Sequence, residues 1–470
     1  MIAETDYLII GAGAVGFTFA DTLFDETDAD ILLVDRRQKV GGHWVDAYPF
    51  VRLHQPSSYY GVNSHPLGSG RIDTVGWNSG FEELATQTEI LEHFEQALTT
   101  RLLPSGRVRF LGGHEVTPEG EIRCLETGTR YDVEIRKRIV DASFYENAIP
   151  KTHQRSFEVG EGVRCVPPND LPSLVPGHED FVVLGAGKTA MDACVWLLEH
   201  GVDTQRLVWV VPRDGWMINR ATTQCQDTYF HSTVEALAAQ MEATAAANSA
   251  EDFADRMEAA GVWLRLDPNH RPAFFHGATI SEHELKMLRG IAQIVRLGRV
   301  QAISRGRMEL AAGAYDVPEE AIFVDCTASA ARRQPRQPIF QQDRIVMQPV
   351  RFPWICMSAA LIAWVEAHVE TDKEKNALAR PVAMTETVED YLLEQYIGTM
   401  NQMAWAQHPG LKAWLKSSRF DVYAQQMSRA PKQDAAKQAL IGRFRASLMP
   451  AGANLQTLLA ARLSQPAEMM

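Results

Sequence analysis

Short unbroken apolar runs, each followed by glycines and then by helical periodicity, recur twice along this chain. Tyr7-Leu8-Ile9-Ile10 carries no polar alternation and reads as a parallel strand covered on both faces. A helical pattern from about Ala14 to Leu23 follows it, and Ile31-Leu32-Leu33-Val34 is a second strand. Phe181-Val182-Val183-Leu184 and Leu207-Val208-Trp209-Val210-Val211 repeat that order far downstream.

Between the two repeats the pattern changes character. A loop-rich stretch from about Gly41 to Asn78 is dense in Pro, Gly, Ser and Tyr, and Glu82 to Leu103 is helical. Val108-Leu111, Glu121-Leu125 and Arg130-Ile135 alternate, with Gly128 at a hairpin, which predicts a small antiparallel crossover sheet. Arg138 to Ala142 predicts a strand returning to the main sheet. After the second repeat, Ala, Glu and Met at helical spacing from Ser232 predict a helical insertion over about 232–290, most clearly as far as Gly261. Strand character resumes at Arg296-Val300 and Ala321-Asp325. Beyond Glu389 the pattern is helical, with Tyr391, Tyr396, Trp405 and Trp414 as apolar anchors. The expected parse is 1–150, 175–330 carrying the insertion, and 331–470 returning to the first domain.

The glycines give the two repeats a chemistry. Gly11-Ala12-Gly13-Ala14-Val15-Gly16 and Gly185-Ala186-Gly187-Lys188-Thr189-Ala190 each join a strand to a helix, the context in which such turns let backbone approach a pyrophosphate at a helix N-terminus. Asp35 ends the second strand about 20 residues on, where an acid hydrogen-bonds a ribose hydroxyl. The second repeat ends instead in Pro212-Arg213, and an arginine there suits a 2′-phosphate, so NADPH is expected over NADH. Lys188 reads as a solvated neighbour of the phosphates; the glycines around it are too close for a P-loop.

Composition narrows the partners. At 470 residues with 46% hydrophobic and 22% charged residues, the chain accommodates two or three globular domains. A net charge of −13 lacks the electrostatic footprint of a nucleic-acid binder. No apolar stretch is long enough to span a bilayer, and no basic, cleavable leader is evident, so no membrane association and a cytoplasmic location are expected. The six cysteines form no C-x-x-C pair and, with the histidines, no metal-ligand spacing. That argues against dithiol reductase chemistry and against a metal centre.

The ordered set Gly11-x-Gly13-x-x-Gly16, Gly41-Gly42-His43-Trp44, Tyr48-Pro49-x-x-Arg52-Leu53-His54-Gln55-Pro56-Ser57, Gly185-x-Gly187-x-x-Ala190 and Val211-Pro212-Arg213-x-x-Trp216 resembles the flavin-containing, NADPH-dependent monooxygenases, over most of residues 6–360. The resemblance implies an α/β fold of two Rossmann-like domains, one for FAD and one for NADPH. It implies FAD contacts at Gly11, Gly13, Ala14, Gly16, Asp35, Arg36, Gly42, Trp44, Gln55, Ser57 and Val116. NADPH contacts are implied at Gly185, Gly187, Lys188, Thr189, Ala190, Arg213, Trp216 and Arg220. His54 and Gln55 are the catalytic candidates beside flavin N5 and C4a, with a structural role for His54 the alternative. The implied reaction oxygenates a small molecule with molecular oxygen through a C4a-(hydro)peroxyflavin. A flavin oxidase or dehydrogenase and a non-catalytic NADPH-binding redox sensor remain open. Phe157-Glu158-Val159-Gly160-Glu161-Gly162-Val163-Arg164 departs from the family's F-x-G-x-x-x-H segment, with Arg164 near the histidine's place, which marks an outlying subgroup.

Overall fold

In the computed structural model, which describes residues 4–144, 148–174, 179–328 and 334–464, the two repeats lie on separate five-stranded parallel sheets. The first sheet runs Arg344–Val346, Glu134–Asp141, Glu4–Ile10, Ile31–Asp35, Val108–Gly112. The second runs Gln293–Val295, Leu207–Val210, Phe181–Leu184, Ile322–Asp325, Cys165–Val166. Because Arg344–Val346 joins the first sheet after the second is complete, the second unit is an insertion in the first. The inserted unit begins before the expected 175, since Cys165–Val166 is already a strand of its sheet and Glu158–Val159 pairs with Val300–Ser304; the boundary expected at 331 falls outside the described residues.

The unbroken apolar runs are explained by burial on both faces. In the first unit Ile9, Ile31 and Leu33 pack under helices Ala14–Glu26 and Ile355–His368, while Leu8, Leu32 and Val34 face Ile122 of the small sheet. Phe181 to Leu184 are fully buried likewise, Val183 toward helix Lys188–Glu199 and Val182 toward an antiparallel sheet. Removing this much apolar surface from water is the main term holding each sheet.

Two expectations are corrected. Val108–Gly112 is the edge strand of the main sheet, and only His114–Val116, Ile122–Cys124 and Arg130–Tyr131 form the antiparallel crossover sheet. The insertion over 232–290 is helical at Phe230–Ala246, Ala250–Ala259 and Glu282–Arg289 but contains strands Trp263–Leu264 and Phe274–Ile280. These pair with Gly215–Asn219, a partner that local periodicity does not reveal. The C-terminal helices cover this region: Ala435–Leu458 lies along Phe230–Ala246, with Arg443 between Glu235 and Glu242.

Candidate functional site

Each glycine turn opens a helix whose N-cap is glycine and whose first turn has no acidic residue, so no side chain occupies the exposed N–H groups. Gly11 and Gly185 turn the chain at φ +97° and +124°, which excludes other residues. Gly16 packs so close to the Gly11 carbonyl that a Cβ would lie 2.0 Å from its oxygen. Ala14 and Ala190 are both buried, Ala190 within the second core.

From the first turn a single segment crosses to the second. Gly42 begins it, its backbone against Gly13. Trp44 is buried, its indole N–H donating to Tyr60 Oη at 2.7 Å. Tyr48 Oη donates to Asp192 Oδ2 at 2.7 Å and also bonds Thr189, both on the helix that follows the second turn. Phe50 stacks on Trp196 of that helix at 4.9 Å. His54 offers its carbonyl to Arg220 Nε at 3.2 Å, and Ser57 is buried, its hydroxyl donating to the Glu83 carbonyl at 3.0 Å. The Gln55 side chain is partly buried and makes no hydrogen bond among the described residues.

Charge is concentrated where this segment meets the second unit. Glu284 pairs with Arg220 and, at 3.3 Å, with Lys188; Lys188 also pairs with Asp192. Burial pushes the Glu284 carboxyl up, but the Lys188 and Arg220 charges and their hydrogen bonds outweigh it and hold it down at about 2. For Asp192 burial dominates and the carboxyl is raised. His54 is driven down to about 3 by burial and by the Lys188 and Arg220 charges, so its imidazole is neutral at physiological pH. The Trp77 ring faces Arg52, Lys188 and Arg220 at 5.8, 5.8 and 5.1 Å.

Three cofactor-site expectations change. Arg220 is wholly buried, its guanidinium occupied by His54 O, Glu284 and Thr279 O, so it does not present itself to a 2′-phosphate. Lys188 is not solvated: its side chain is 8% exposed and held by two carboxylates. Trp216 is 1% exposed, in the core with Trp263, because strand Gly215–Asn219 turns it inward. Arg213 stays half-exposed but pairs with Glu386 at 2.8 Å.

In the first unit the Asp35 carboxylate accepts from Ala12 N at 2.7 Å and Arg37 N at 2.8 Å, which fixes it beside the turn. Arg36 is exposed, 3.5 Å from Glu115, and Val116 ends a strand of the small sheet. Sequence reasoning assigned no site role to Tyr48, Trp77, Asp192 or Glu284, although Tyr48 stands in the motif set that carries the resemblance. Lys188 and Asp192 stand four apart on a helix and Ser281-x-x-Glu284 is a capping box, so both carboxylates carried a local signal.

The fold and its two helix-opening glycine turns define a protein built on two Rossmann-like units, and residues 9–59 match the family model for NAD(P)-binding Rossmann-like domains. Over 457 residues the chain is 42% identical to the uncharacterized proteins Rv2000 of Mycobacterium tuberculosis (strain H37Rv) and Mb2023 of Mycobacterium bovis, covering 97% of this chain and 84% of each relative. The chain belongs to the family of these mycobacterial proteins. Among solved structures it is similar to OTEMO in complex with FAD and NADP, at 15% identity and TM-score 0.49 over 78% of this chain and 85% of that one. It is also similar to the polycyclic ketone monooxygenase of Thermothelomyces thermophila, at 12% identity and TM-score 0.48 over 98% and 88%.

Proposed function

We propose that the protein is an FAD-dependent, NADPH-consuming oxidoreductase, a monooxygenase that oxygenates a small molecule with molecular oxygen. The observation that carries this reading is the segment from Gly42 to Ser57, which packs on the first turn through Gly13 and on the second unit through Asp192 and Arg220. The segment thus links the first glycine turn to the helix that follows the second.

The residues fit two dinucleotides. The N–H groups opening helix Ala14–Glu26 would hold the FAD pyrophosphate, and Asp35 would orient the adjoining ribose. Beside Gly187 a Cβ would meet nothing within 4 Å, which leaves room for the NADPH pyrophosphate. When bound, the flavin supplies hydride acceptance and oxygen activation. Trp44, fixed by Tyr60, would wall the flavin side, and Gln55 would contribute a hydrogen-bonding amide. His54 acts as a neutral imidazole, a donor and acceptor rather than an acid.

The test is spectroscopic. Purified protein is expected to carry FAD and to lose its visible flavin absorbance when NADPH is added without oxygen; a colourless protein, or one that NADPH does not bleach, overturns the reading. On admitting oxygen with substrates, oxygenated product in proportion to NADPH is expected, whereas stoichiometric hydrogen peroxide with every substrate assigns an oxidase.

A further inference from the structure

Arg213 follows the strand whose Val210 carbonyl accepts from Gly185 N at 3.1 Å, so it stands next to the second glycine turn. It is not alone there. Its Nη2 lies 2.8 Å from Glu386 Oε1, and His276 Nε2 lies 2.8 Å from Glu386 Oε2, so one carboxylate bridges two donors. The Arg213 guanidinium is also 5.4 Å from the Phe274 ring, which is 4.6 Å from the His276 ring. Phe274 in turn lies against Gly215, where a Cβ would approach its ring to 2.5 Å. The Arg213 and His276 side chains are 46% and 47% exposed and Glu386 is 27% exposed, so the whole constellation is open to a ligand.

We propose that Arg213 and His276 form a two-donor receptor for the 2′-phosphate of the adenosine ribose, and that Glu386 is the resident anion a phosphate displaces. The inference rests on the NADPH reading above. A phosphomonoester presents oxygens that satisfy both donors at once and carries more charge than the carboxylate it replaces. Displacement needs only the Glu386 side chain to rotate, because its backbone is held separately, its N–H donating to Asp390 and its carbonyl accepting from Phe275 N. Glu386 directly precedes Thr387, the N-cap of helix Val388–Gln407, so the C-terminal helices supply the competitor for a site on the inserted unit. A nucleotide without the 2′-phosphate has nothing to offer the two donors and leaves Glu386 in place.

The experiment is calorimetric titration of the full-length, flavin-loaded protein with 2′,5′-ADP and, separately, with 5′-AMP. The wild type is expected to bind 2′,5′-ADP more tightly. Glu386→Gln is expected to tighten 2′,5′-ADP about three- to tenfold and His276→Ala to weaken it by a similar factor, with 5′-AMP within about twofold in both. Equal affinities of the wild type for the two nucleotides overturn the NADPH reading and this inference with it. A wild type that prefers 2′,5′-ADP, with either variant leaving that constant unchanged or moving it the opposite way, overturns the two-donor receptor alone.

Discussion

The two glycine turns share a topology and differ in what surrounds them. Gly13 is walled by the backbone of Gly42, Gly41 by Leu91, and the acid that ends the next strand is tied to Ala12. Gly187 faces open space, and the cations named around its helix each hold an internal carboxylate: Lys188 with Asp192 and Glu284, Arg220 with Glu284, Arg213 with Glu386. The first turn is built as a closed cradle and suits a cofactor that stays. The second is open but internally neutralised, which suits a nucleotide that enters and leaves by exchanging ion partners.

The largest expected effect separates the two turns directly. Gly13→Val drives branched methyls into Gly42 and is expected to give colourless or insoluble protein, whereas Gly187→Val meets no neighbour and is expected to keep full flavin content while losing NADPH. Flavin per chain after gel filtration checks both; flavin loss in the Gly187 variant would erase the distinction.

Next is Arg213→Ala. Hydrogen bonds to charged groups contribute about 1.5–3 kcal/mol, so NADPH affinity is expected to fall on the order of tenfold to a hundredfold, with NADH within a few-fold. The ratio of kcat/KM for the two cofactors reads this, and an unchanged ratio removes Arg213 from the site.

The closed side also carries a pH dependence. His93, on helix Gln87–Ala97 behind the first turn, accepts from Val62 N at 3.0 Å and is pushed down to about 3 by burial and by the neighbouring His65 and Arg419. Its folded pKa lies below the unfolded value near 6.5, so the folded state binds its proton less readily and loses stability as pH falls through 6.5 and on toward 3. At pH 5 this amounts to ~2 kcal/mol relative to pH 7. His93→Gln keeps an acceptor without the titration, so denaturant midpoints at the two pH values should draw together by that amount.

The smallest effect tests the link between the turns. Tyr48→Phe removes the hydrogen bonds to the Asp192 carboxylate and to Thr189 and is expected to cost about 1.5–3 kcal/mol in stability while moving cofactor binding least. Flavin content should be unchanged and the rate of flavin reduction by NADPH lowered, as stopped-flow absorbance would show.

Much of this was legible along the chain because it is local. The strand–turn–helix order, the glycines needing positive φ, the terminal Asp35 and the double burial of Phe181–Leu184 all depend on residues within one supersecondary unit. Helix starts such as Ser281-x-x-Glu284 are equally local. Trp216 shows where that logic stops: it stands at a motif spacing, yet pairing of its strand with Phe274–Ile280 buries it.

Sequence therefore settled which segments become the two Rossmann-like units and in what order, since strand burial and turn geometry are written in neighbouring residues. Which cations remain available to a ligand was decided only on folding. Arg220 meets Glu284 across 64 residues and Arg213 meets Glu386 across 173, and no local pattern encodes such encounters. A charged side chain's chemistry is set by its partners and its solvent, and here both come from distant parts of the chain brought together by packing.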